Sequence, residues 1–149
     1  MRAVSSVVGT VVLLGVVVVA GTAVFAAVPA GEPATVPTAR LSLTAEAGPD
    51  RVALTHEGGD TLRAAALDVT VHVGGEPVAH QPPVPFFAAT GFESGPTGPF
   101  NSAHDGQWRA GETAAFALAS TNTRLDPGDS VSVTVRTDAG VVARLETTA

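Results

Sequence analysis

The chain has no cysteine, and every basic residue in it is arginine. Without cysteine there is no disulfide framework, no thiolate metal site and no thiol nucleophile. A domain of this composition depends on β packing and turn chemistry. Setting Arg2 aside leaves seven arginines against fourteen Asp and Glu, a net charge of about −7. Such a surface disfavours nucleic-acid binding, which needs basic patches that release counterions. Catalytic signatures are missing too: there is no Gly-x-Ser-x-Gly elbow, phosphate-cradling loop, dinucleotide fingerprint, EF-hand series or HExxH spacing. No Asn-x-Ser/Thr acceptor occurs, since Asn101 and Asn122 are followed two places on by Ala103 and Arg124. These absences argue against an enzyme and against any cofactor.

What the sequence has in excess lies at its start. No charge falls between Arg2 and Glu32, and the apolar run over 4–28 exceeds the roughly 20 residues that span a bilayer as a helix. No polar stripe at 3.6-residue spacing marks a soluble face. Three fates remain open for it. A secretory signal peptide would be cut near Val24-Phe25-Ala26, although the run is long for an h-region. A plain anchor would stay whole. A cut after Ala3 would leave the entire helix on the mature chain. Arg2 favours a cytoplasmic N-terminus, with the acidic remainder outside. Ser5, Gly9, Gly15 and Gly21 are small enough to permit close helix packing, with Ser5 and Gly9 on one face.

Arg2-Ala3-Val4-Ser5-Ser6-Val7-Val8-Gly9-Thr10-Val11-Val12-Leu13-Leu14 resembles the N-terminal signature of archaeal type IV pilins. Ser6 stands where that family usually carries proline, and the early glutamate of bacterial pilins is missing. The resemblance implies a leader over 1–3, cleavage by a prepilin peptidase between Ala3 and Val4, and a helix over 4–28 that leaves the membrane to pack against other pilin subunits. It implies a membrane location before assembly and a cell-surface filament, serving adhesion, afterwards. Leu54-Thr55-His56-Glu57-Gly58-Gly59-Asp60, Trp108-Arg109-Ala110-Gly111-Glu112 and Leu125-Asp126-Pro127-Gly128-Asp129-Ser130-Val131 are similar to motifs of pilin-like proteins from halophilic archaea. The acidic, lysine-free surface fits that comparison, with GC-rich coding bias as the alternative explanation. An anchored β-sandwich that binds a ligand without polymerising is the competing function.

Residues 29–39, with three prolines in nine positions, predict a semi-rigid stalk. From Arg40 the apolar period becomes two. Strands are expected at Arg40–Ala45, Arg51–His56, Leu62–Val73 and near Val78, then around Ala114–Leu118, Val131–Val135 and Val141–Leu145. Gly48-Pro49-Asp50, Gly58-Gly59-Asp60 and Gly74-Gly75 supply turns, the last a hairpin. About seven strands over 40–149 predict a mainly β, immunoglobulin-like antiparallel sandwich outside the membrane. Its core centres on Val69–Val73 and Val131–Val135, and Val141, Ala143 and Leu145 alternate with Val142, Arg144 and Glu146, which puts the first three on one face.

The segment 81–112 breaks the alternation. It holds five of the chain's seven aromatics, Phe86, Phe87, Phe92, Phe100 and Trp108, among prolines and glycines. These rings either cap the sandwich or form a contact surface. His56, His72, His80 and His104 are the only imidazoles, and their spacing does not favour a metal site. By alternation His72 faces solvent, and His56 bonds the adjacent glycine turn.

Overall fold

The computed structural model describes residues 31–149. The apolar run and the residues singled out in it, Ala3, Val4, Ser5, Gly9, Gly15 and Gly21, lie outside the described residues. Ala34–Ala149 forms one compact unit, mainly β, with nine strands. They are β1 (Ala39–Glu46), β2 (Arg51–Gly59), β3 (Leu62–Arg63), β4 (Asp68–Val73), β5 (Glu76–Pro77), β6 (Gln107–Trp108), β7 (Thr113–Ala117), β8 (Ser130–Thr137) and β9 (Gly140–Thr148).

All the ladders are antiparallel. One sheet has the order β1-β2-β7, the second β5-β4-β8-β9, and β3 pairs with β6 in a two-residue ribbon. The alternation dictates what meets between the sheets. Val52, Leu54 and Phe116 come from one; Val69, Val71, Val131, Val133 and Val135 come from the other, all with 2% exposure or less. They share one apolar cluster. The outward positions of β4 and β8, Thr70, His72, Ser132 and Thr134, stay half-buried.

Two expectations about strands need correcting. Leu62–Val73 is not one strand: Ala64–Ala66 forms a 3₁₀ turn between β3 and β4. Three alanines offer no alternating face to hold the ladder, and the turn lets β3 and β4 join different sheets. Val141 does not share a face with Ala143 and Leu145. Val135 pairs with Ala143 but Arg136 pairs with Val141, so Val142 is an extra residue in β9. That bulge inverts the facing of what precedes it, leaving Val141 at 37% exposure.

Turn chemistry fits the glycines. Gly74 and Gly75, at φ 60° and 84°, make the two-residue turn between β4 and β5, since such a left-handed pair matches the strand twist. The Gly58-Gly59 pair lies at the end of β2 instead, just before the bend at Asp60. There Thr38 N–H donates to Asp60 Oδ2 at 2.9 Å and Asp60 N–H donates to the Thr38 carbonyl at 2.8 Å. The last residues of the Pro-rich segment are thereby tied to the domain.

Candidate functional site

The long segment 81–112 forms a wall along one side of the sandwich. Four of its aromatics are buried: Phe86 and Phe92 at 6% exposure, Phe100 and Trp108 at 0%. With Phe116 and His56 they make a continuous series of rings. Successive centroids lie 5.4 Å (Phe86 to Phe92), 5.5 Å (Phe92 to Phe116), 6.1 Å (Phe116 to Phe100), 5.3 Å (Phe100 to Trp108) and 5.9 Å (Trp108 to His56) apart. Tilted and edge-on pairs at these separations each add about 0.5–1.5 kcal/mol beyond burial. Those four rings have almost no accessible surface to offer a partner. Phe87, at 59% exposure, is the remaining member of the expected contact surface.

The same segment covers one side of each sheet, with its backbone along β7 and with a side chain on β4. Thr97 N–H donates to the Ala115 carbonyl at 2.8 Å, and Glu93 N–H donates to Ala117 at 2.9 Å, along the free side of β7. On β4, the Gln81 carboxamide accepts from Val71 N–H at 2.7 Å and donates to the Val71 carbonyl at 2.9 Å. Asn122, 8% exposed, anchors the wall from the far side. Its Oδ1 accepts from His80 N–H and Thr123 N–H, and its Nδ2 donates to the carbonyls of His80 and Gly91. No signal in the sequence distinguishes Gln81 or Asn122, because each acts on a partner fixed only by the fold.

The stretches around His56 and Trp108 meet in one corner. His56, fully buried, donates its backbone N–H to the Glu112 carbonyl at 2.9 Å and accepts from Gly111 N–H at 2.7 Å. Trp108 Nε1 donates to the same Glu112 carbonyl at 2.9 Å. The imidazole Nε2 lies 2.8 Å from the Asp60 carbonyl. That oxygen can only accept, so Nε2 carries the proton. Nδ1 is then left as a buried acceptor with no partner among the described residues. The expected bond from His56 to the adjacent turn exists, but to Asp60 rather than to either glycine. The stretch 125–131 closes the other end of the sandwich: Gly128 N–H donates to the Ala149 carbonyl, Ala149 N–H to Asp129, and Leu125 N–H to Asp50 Oδ1.

Charged groups gather near the Trp108 corner. Asp105 accepts from Gln107 N–H at 2.9 Å and from both terminal nitrogens of Arg109 at 3.1 Å. Those interactions, the Gln107 bond foremost, hold its carboxyl below the usual aspartate range. Glu112 Oε2 accepts from Arg109 N–H at 2.7 Å. His104 Nδ1 stands 3.0 Å from Asp105 Oδ1. The other imidazoles are elsewhere: His72 is half-buried on the outer face of β4, and His80 is exposed beside Gly91. Among the described residues, no group of three or more His, Asp or Glu is placed to hold a metal ion.

The outer face of β4, β8 and β9 forms an open groove of about 390 Å³, lined by His72, Gly75, Ser132, Thr134, Arg144 and Glu146 among others. It contains hydrogen-bonding groups of both kinds but no Phe or Trp. Among the described residues, no helix is long and apolar enough to cross a membrane. No family model matches the chain, and no curated protein matches it.

Proposed function

We propose that the chain is a structural subunit of an archaeal type IV pilus-like surface filament. The observation that carries this reading is the N-terminal sequence, where Arg2-Ala3 gives way at once to the apolar run that begins Val4-Ser5-Ser6-Val7-Val8-Gly9. In this reading a prepilin peptidase cuts between Ala3 and Val4 and the helix over 4–28 anchors the precursor. On leaving the bilayer that helix exposes more apolar surface than a monomer tolerates, and like helices cover it. The β-domain is carried outside on the proline-containing segment.

Features of the domain agree with a structural part. His56 and Trp108, each inside a motif similar to those of halophilic pilin-like proteins, serve packing and backbone bonding rather than an open cleft. The strand order β1-β2-β7 against β5-β4-β8-β9 supports the immunoglobulin-like reading of the sandwich, although the tryptophan sits on β6 rather than on a central strand. Adhesion is the purpose we assign to the filament.

Val17→Asp tests the assembly mechanism. Charge in the middle of a packed apolar bundle is costly, so cells producing this variant should carry the subunit in the membrane fraction but display no filaments by electron microscopy. Normal filaments built from this variant would rule out helix-driven assembly.

A further inference from the structure

The outer face of the four-stranded sheet has a feature that the filament reading does not use. Register places two cross-strand rows side by side: Thr70, Thr134 and Arg144 in one, His72, Ser132 and Glu146 in the next. The hydroxyl positions are half-buried, and Arg144 and Glu146 stand exposed on edge strand β9. Arg144 makes no ion pair among the described residues. Glu146 Oε1 accepts from Ser130 Oγ at 2.7 Å, and its other oxygen has no partner among the described residues.

We propose that this face docks a second copy of the chain, sheet against sheet, about a two-fold axis that crosses the strands between the two rows. Sheets packed in the aligned manner keep their strands within about 30° of one another, and a two-fold in this position exchanges the rows. Arg144 of each copy then meets Glu146 of the other, Thr134 meets Ser132, and Thr70 meets His72. Every position faces a group of opposite charge or a hydrogen-bonding group. That is the self-complementarity an isologous interface requires. A partner of unlike sequence has no need for charges that invert across a single axis. The short hydroxyl side chains at the centre let the sheets approach, and the groove is the space the second copy fills.

The contact is weak. Exposed ion pairs contribute about 0–1 kcal/mol each, and like net charges on the two copies oppose them. It is independent of the filament reading, and its test needs no filament. Sedimentation of the full chain in detergent micelles, over a protein concentration series at about 0.15 M salt, where the Debye length is about 8 Å, reads the association directly. Arg144→Glu should raise the dissociation constant about tenfold, or about 1.4 kcal/mol, with an unchanged melting temperature. Adding Glu146→Arg to it should restore association, because the pairs re-form with their signs exchanged. Arg40→Glu on β1 makes the same change in net charge away from this face and should leave association as it was. The proposal is overturned if the wild-type chain stays monomeric over the series, if Arg144→Glu has no effect, if the double exchange stays as weak as the single change, or if Arg40→Glu weakens association equally.

Discussion

The Gln81 side chain bonds both the N–H and the carbonyl of Val71, at 2.7 and 2.9 Å, and so substitutes for one residue of a neighbouring strand on β4. β5 pairs with only His72 and Val73; the Val71 carbonyl also accepts from Val78 N–H at 3.2 Å, so without Gln81 it is the Val71 N–H on that edge that would face solvent. A free edge invites pairing with other chains. Gln81→Leu removes two bonds at a partly buried site. It should lower stability by about 1–2 kcal/mol in denaturant unfolding and increase aggregation on heating. A variant with wild-type stability would show that solvent serves Val71 equally well.

Gly98 allows a second close approach. Its φ is 63°, and a side chain there would collide with the Thr113 carbonyl. Gly98→Ala should therefore destabilise the domain by on the order of 3 kcal/mol, from backbone strain and the clash together. Gly58→Ala, where a methyl group meets nothing within 4 Å, should be close to neutral. Equal effects in the two variants, compared by thermal melting, would contradict this description of the wall.

Acid sensitivity follows from Asp105. The Gln107 N–H bond first, and then the Arg109 contacts, depress its folded-state pKa. Its contribution is therefore full above the unfolded aspartate value and is lost as pH falls through the lower, folded one. Asp105→Asn should melt below wild type at neutral pH, with the gap closing on acidification through and below the aspartate range. A gap of constant size across that range would sink the assignment.

Salt should stabilise the domain. With seven arginines against fourteen carboxylates in residues 31–149, self-repulsion opposes the compact state until ions screen it, at a Debye length near 3 Å in about 1 M salt. Melting of residues 34–149 should rise from dilute buffer to molar salt. A flat or falling midpoint would remove the link to saline conditions and leave the fold untouched.

Strict alternation made β1, β2, β4, β8 and β9 legible in the sequence, because a residue's facing follows directly from a period of two. Where alternation fails, so does the reading. The alanines at 64–66 carry no facing information, and the bulge at Val142 changes facing without changing residue type. Phe86 and Phe87 show the limit most clearly: they are adjacent and identical, yet one is 6% and the other 59% exposed. The division is made by tertiary contacts of the wall, such as the bond from Phe86 N–H to the Phe100 carbonyl. His56 was legible as a turn-bonding residue, but its meeting with Trp108 joins parts of the chain that only the fold brings together.

The central claim, that this is a filament subunit processed after Ala3, is tested most directly by intact-mass and N-terminal peptide analysis of the protein recovered from its native cell surface. The account predicts a mature chain whose first residue is Val4, with the apolar run retained. A mature chain beginning near Ala27, or one that still carries Met1-Arg2-Ala3, would contradict it.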